Sequence, residues 1–391
     1  MVKEKSDESH TTKAIGQPKR PKREMKITAR HNRYVLIFRR SAIGWATIGW
    51  WVSNLALAQD RVLIQQPGGS RIPIIGVVDD YTGRDLRFRT IAKDAVKRYP
   101  RSEVIEVMTE YTAHHDRGRK LLASGKIGEA KVEFTAALSE EDRPWVRREI
   151  LASQVRCALW ESDYASAISR FVPIVDSDAE TFHYNLIPLN WTDDEPSTKL
   201  QVAAREWIAP SATPHAKLIG ASWLLSTSDR SVEAEQLLKK LAREPDVRVQ
   251  RLAQMQIWRT KRKGNQVIDA EEIERWQSFV EDLPVELRGG AYFVIGEAWK
   301  ERRDYDRAAR AFLWLPLVFN TDRGLCARAC FEAAESLRAL GDLSQAINLY
   351  SEVVFRYGDT RWGRLAEDAW KAIRQSKSEL NNQTNSGTDP R

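Results

Sequence analysis

The sequence predicts a mostly α-helical chain, an α-solenoid of stacked helix hairpins preceded by a small N-terminal β module. Three observations predict it. An apolar pattern between Tyr292 and Tyr357 repeats after 38 residues, and the apolar period changes from two to that of a helix near residue 113. The third is a content of 42% apolar residues over 391 positions, enough to give a long array a continuous core.

The leader comes first. The formal net charge is +7, and where the charge sits decides what it means. Residues 1–58 carry 12 Lys and Arg against 4 Asp and Glu, whereas the other 333 carry 49 against 50. The basic excess therefore belongs to the leader alone. Its run PKRPKREMK and the pair Arg39 and Arg40 precede an uncharged stretch, SAIGWATIGWWVSNLALA, which ends in Ala56 and Ala58. A basic region, an uncharged apolar region and an A-x-A ending form a secretory signal cleaved after Ala58, which predicts a periplasmic or secreted protein. Two alternatives stay open. Residues 41–58 reach the lower limit of a membrane span and would anchor an uncleaved chain. A leader retained in the cytosol would offer Lys19, Arg20, Lys22 and Arg23 to nucleic-acid phosphates; the mature form is expected to bind no nucleic acid.

Residues 59–112 read as the β module. DRVLIQQ, RIPIIGVVDDY and RDLRFRTI alternate apolar and polar positions, and Pro67-Gly68-Gly69 and Thr82-Gly83 supply turns. Four or five short strands suggest a curled sheet resembling an SH3-like barrel, expected to cap the open apolar end of the first helix pair.

Helix pairs follow. In residues 113–175, Gly118, Leu121, Ile127, Ala130 and Phe134 stand at the offsets of the late repeats, and Tyr164, Ala167 and Phe171 continue them, with Val155 at a small position. Residues 176–197 break the period with two prolines and carry Phe182, Tyr184 and Trp191. An insertion of this length is either a ligand loop built on those aromatics or an apolar plug over the array. Residues 198–285 resume as divergent pairs, 286–375 hold the strong repeats and a closing helix, and 376–391 read as a disordered tail.

In the strong repeats Tyr292, Ile295, Gly296, Trp299, Tyr305, Ala308 and Phe312 recur as Cys330, Ala333, Ala334, Leu337, Leu343, Ala346 and Tyr350. Small residues stand where helix axes approach and bulky ones fill the flanking gaps. This pattern resembles the tetratricopeptide repeat (TPR), W-x2-L-G-x2-Y followed by Y-x2-A-x3-F. The resemblance implies a concave groove lined by first-helix side chains, where extended segments of other proteins lie. Carried onto this chain, the groove positions are Phe293, Glu297 and Lys300 in one repeat and Phe331, Glu335 and Arg338 in the next. The charged members also read as ordinary i,i+3 surface pairs. In the first repeat the matching sites are His115, Arg119 and Leu122, so the pattern does not run the whole array.

No catalytic template is matched. The six histidines form no H-E-x-x-H, and His114 and His115 would point apart from the start of one helix. Asp79 with Asp80, and Asp193 with Asp194 and Glu195, read as solvated turn and loop acids. Asp176, Asp178 and Glu180 lack the glycine and distal glutamate that close a calcium loop. Cys157, Cys326 and Cys330 have no metal-ligand spacing and read as buried free thiols. The sequence thus predicts an exported, non-enzymatic scaffold of the cell envelope, without cofactor or metal, that binds a protein or peptide.

Overall fold

The computed structural model describes residues 59–90, 95–262 and 267–386, with backbone alone from 376 to 386. The expected leader, its cleavage point after Ala58 and the candidate span 41–58 lie outside the described residues.

The alternating segments form a sheet. Strands β1 (Asp60–Gln65), β2 (Arg71–Tyr81), β3 (Asp85–Thr90), β4 (Ala95–Pro100) and β5 (Val104–Met108) pair antiparallel in the order β4-β3-β2-β1-β5. Val62, Ile64, Val78, Leu86 and Phe88 point inward, as the period of two requires. The 11-residue β2 slips register between Val78 and Asp80, a bulge that bends the strand so that one end pairs β1 and the other β3. The segment YPRSEVIEVM divides into the end of β4, a 3-10 turn at Arg101–Glu103, and β5.

Fourteen α-helices follow among the described residues. The first two hairpins are α1 (Ala113–Ala123) with α2 (Ile127–Glu140) and α3 (Pro144–Trp160) with α4 (Tyr164–Ser177). After the insertion come α5 (Thr198–Trp207), α6 (Pro214–Leu224), α7 (Ser231–Leu241), α8 (Val247–Arg262) and α9 (Ala270–Glu281). The strong repeats are α10 (Gly289–Glu301) with α11 (Tyr305–Leu317) and α12 (Arg323–Leu340) with α13 (Leu343–Tyr357). The closing helix α14 (Arg361–Ser386) runs past the point where the sequence suggests a tail.

One turn serves four of these hairpins. Gly125, Ser162, Arg303 and Gly341 adopt left-handed φ values of 75°, 58°, 63° and 91°. The next residue then sends its amide back to the first helix: Lys126 to Leu121 O (2.9 Å), Asp163 to Ala158 O (2.8 Å), Asp304 to Trp299 O (3.0 Å) and Asp342 to Leu337 O (3.0 Å). This is the bond that satisfies an orphan carbonyl at a helix end. The three aspartates also cap the second helix, accepting from the amides of Ser166, Arg307 and Gln345.

Packing follows the small-and-large alternation where it is strong. A Cβ on Gly118 would lie 2.8 Å from the ring of Phe134, and one on Gly296 would lie 2.7 Å from Phe312. The divergent pair α8 and α9 meets instead through Trp258 and Trp276, stacked 4.9 Å apart. Bulky rings there replace the close backbone approach, which is why that pair departs from the repeat.

The sheet shares its core with the first helices: Val62, Val78, Leu86 and Phe88 join Ile127, Phe134, Trp145 and Ile150. Asp80 corrects its reading as a solvated acid. It is buried against Arg148 on α3 (2.5 Å) and Arg87 on β3 (2.6 Å). Desolvation pushes its carboxyl up, and the two guanidinium groups outweigh that, holding it below the usual carboxylate range. A second core runs from α3 to α14. The early and late hairpins also touch, because the Tyr164 hydroxyl at the start of α4 donates to Asp322 Oδ1 before α12 at 3.1 Å. All three cysteines are buried and free. No helix among the described residues is long and apolar enough to cross a membrane.

The shared turn makes a stability prediction. An L side chain in the left-handed region costs about 1–2 kcal/mol, so Arg303→Gly should raise the unfolding free energy by about 1 kcal/mol. Gly341→Ala should lower it by a similar amount. Urea titration of both variants checks the pair.

Candidate functional site

The most specific geometry in the chain surrounds the insertion. From Asp178 to Ser197 it runs against α6, α8, α10 and α12, and many of its polar groups are met one by one. Asp178 accepts from the Gly83 amide (2.9 Å), Asn190 N donates to Ser222 Oγ (3.1 Å), and Trp223 Nε1 donates to Pro188 O (3.0 Å). A backbone without regular structure can be buried only if its polar groups are paired in this way.

Arg259 supplies the largest share of the pairing. Its side chain is fully buried at 0% exposure, and it donates to Asn190 O (2.8 Å), Ser222 O (3.0 Å), Gln256 Oε1 (2.7 Å), Ser226 Oγ (2.6 Å) and Thr192 O. Burial pulls its guanidinium down to about 10, against the opposing field of Asp193, so it stays charged at neutral pH. Arg262, one turn on, pairs with Asp193 (3.2 Å), Glu297 (3.1 Å) and Glu301 (2.7 Å). Arg328 on α12 takes Asp194 at 2.7 Å. Asp193 thus departs from its reading as a solvated loop acid, and Asp194, still exposed, is paired; together they tie the insertion to α8 and α12.

The aromatics of the insertion divide. Tyr184 is buried, bonded to His215 Nδ1 (3.0 Å) and faced by the Arg248 guanidinium at 4.2 Å. Trp191 is buried over Gly290, where a Cβ would lie 2.0 Å from its ring. Phe182 keeps 40% of its surface and leans on Tyr81 of the sheet. Two of the three thus face the protein, as a plug does, and Phe182 alone keeps an open face.

The expected groove positions are brought together in part. Phe293 is 1% exposed beneath the Arg328 guanidinium, and Glu297 is held by Arg262. Burial pushes the Glu297 carboxyl up, against the pull of Arg262. Lys300 reaches Glu332 on the next first helix, Phe331 packs on Trp362 (5.5 Å), and Glu335 accepts from Arg338 (2.5 Å) and the Tyr350 hydroxyl. Arg338 and Lys300 keep the most surface of the six, at 49% and 37%.

Sequence reading missed Arg259. The signal was present: Arg259 lies on one helical stripe with Val249, Leu252 and Gln256, all buried. An arginine on an apolar stripe marks a buried acceptor set. The neighbouring run Lys261, Arg262 and Lys263 disguised it as part of a solvated basic helix. Among the described residues no group of three or more His, Cys, Asp or Glu could hold a metal ion. No protein-family model matches the chain, and no curated protein matches it.

Two outcomes test this geometry. Arg259→Met leaves buried acceptors unpaired and should cost about 3–5 kcal/mol, read as a fall in the urea midpoint. His183, buried beside Phe182, has its imidazole drawn down to about 3, first by desolvation and then by Arg156 and Arg148. The unfolded chain takes up that proton near the usual histidine value and the folded chain refuses it. Stability is therefore complete above about pH 6.5 and lost as pH falls toward 3, by up to roughly 1.4 kcal/mol per pH unit. His183→Leu should flatten that acid limb in midpoints measured from pH 7 to 4.

Proposed function

We propose that the chain is a tetratricopeptide-like scaffold, an α-solenoid of helix hairpins, that binds a protein or peptide partner after export to the cell envelope. The observation that carries this reading is the single turn used in four hairpins, with its left-handed residue and its returning amide bond. Identical turns repeat the same helix-to-helix geometry, which is what stacks hairpins into an array. The strand order of the sheet and the 3-10 turn before β5 support an SH3-like barrel as its cap.

The insertion shapes the reading further. An extended segment already fills much of the inner side, so the partner is met at the rim where Lys300, Phe331, Glu335 and Arg338 keep surface. Aromatic, acid and base stand together there, a combination that serves both the backbone and the side chains of an extended peptide. The export part rests on the leader composition, since the basic excess ends at its apolar stretch.

Two measurements test the proposal. Sequencing the N-terminus of the protein recovered from fractionated cells should give Gln59 in the envelope or medium; finding only chains that start at Met1 in the cytosol ends the export reading. Peptides selected against the mature chain should bind roughly tenfold more weakly, about 1.4 kcal/mol, to the Lys300→Ala, Arg338→Ala double variant, with circular dichroism at the binding temperature finding that variant folded. Peptides indifferent to that change would sink the rim.

A further inference from the structure

A cavity of about 570 Å³ opens where the early and late hairpins meet. That volume suits a small organic molecule. Its apolar walls are the rings of Trp160, Tyr164, Trp191, Trp223 and Trp362. Around the rings four α-helices begin. Asp163, Ser197, Asp322 and Thr360 stand at the starts of α4, α5, α12 and α14, each accepting an amide of its own first turn. Helix starts carry unpaired N–H groups and the positive end of the peptide dipoles, so four of them turned to one space favour negative charge in it.

Six acids and four bases line the same space, so the charge left for a guest depends on which of them are already engaged. The acids on the wall already have partners: Asp359 holds Arg323 (2.5 Å), Asp194 holds Arg328 (2.7 Å), Glu161 holds Lys131 (2.5 Å) and Glu195 accepts from Gln201 (3.3 Å). Asp322 takes the Leu325 amide (2.9 Å) and the Tyr164 hydroxyl (3.1 Å). Lys199 and Arg361 line the same space and pair with no carboxylate among the described residues; Arg361 lies over the Trp362 ring at 5.3 Å. Two cations without a close ion pair therefore stand beside a wall of indoles, Lys199 within the field of Asp163.

That arrangement limits the ligand from both sides. A neutral guest leaves the two cations unanswered. A polyanion brings several charges close to the wall acids and is repelled. A bare inorganic anion leaves the aromatic surface unused. We propose that this cavity binds a small organic monoanion with a flat apolar body, such as an aromatic carboxylate. Its charge lies by Lys199, Arg361 and the helix starts, and its ring lies against the tryptophans. This site adjoins the partner-binding rim through Trp362, which packs on Phe331, but Lys199 and Arg361 are not rim residues, so the two readings are tested by different substitutions.

Calorimetric titration of the mature chain tests the assignment, with indole-3-acetate as probe, indole-3-acetamide as its uncharged counterpart and inorganic phosphate as the bare anion. Saturable binding of the acetate is expected, with the amide at least tenfold weaker and phosphate weaker still. Lys199→Gln with Arg361→Gln should weaken the acetate about tenfold, and Lys239→Gln, on the remote α7, should leave it unchanged. Both cavity cations are exposed, so circular dichroism should find the double variant folded. A tripeptide ending in tryptophan separates two sources of the same chemistry: tighter binding than the acetate assigns a chain terminus, weaker binding a free acid. No saturable binding of the acetate into the millimolar range, equal binding of acid and amide, or indifference to the double substitution overturns the proposal.

Discussion

The interior of this protein depends on one guanidinium. Arg259 is the point where an irregular segment, the helices α6 and α8 and a set of carbonyl oxygens meet. A carbonyl buried without a donor costs about 1–3 kcal/mol, and without Arg259 the carbonyl of Asn190 would be such a group, while that of Thr192 would keep only the Ser226 hydroxyl. Arginine suits the position because its planar fork presents five donors and remains charged under desolvation. A lysine offers three donors from a single point and could not reach the same set. Every neighbouring ion pair, from Asp193 with Arg262 to Asp194 with Arg328, builds on a backbone path that Arg259 fixes.

Against that constraint, the uneven legibility of the sequence has a physical cause. Helix hairpins and strands announce themselves because their side-chain periods are local: Gly296 with Phe312 and Leu86 with Phe88 could be read from spacing alone. The repeat in α12 and α13 followed its copy in α10 and α11 for the same reason. What could not be read was the partner of each buried charge. Asp80 finds Arg148 across 68 residues and Asp194 finds Arg328 across 134, and nothing local distinguishes such acids from solvated ones. The insertion showed the same limit. Its aromatics were visible, but whether Trp191 faced outward or into Gly290 depended on a helix that begins almost 100 residues later.

The ends of the helical layer are managed differently. At the first end the sheet contributes Val62, Val78, Leu86 and Phe88 to a core shared with α2 and α3, and Asp80 pins the joint. At the other end α14 is sided: Ala366 is fully buried against the core, whereas Arg364 and Lys371 face solvent. Divergence between them is tolerated where large rings substitute for close backbone contact, as Trp258 and Trp276 do.

The hydrogen bond from Tyr164 to Asp322 joins residues 158 apart, and it has a bearing on how the chain reaches its native state. Single hairpins close short loops and can form on their own within microseconds, whereas a contact of such separation pays its loop entropy last. The insertion leaves the ribosome before α8, α10 and α12, the helices that receive it. During synthesis it therefore waits, extended and unburied, for partners not yet made. The ordered core around Arg259 is completed only once α8 has been made, and the insertion's contacts with Gly290 and Arg328 only once α10 and α12 follow.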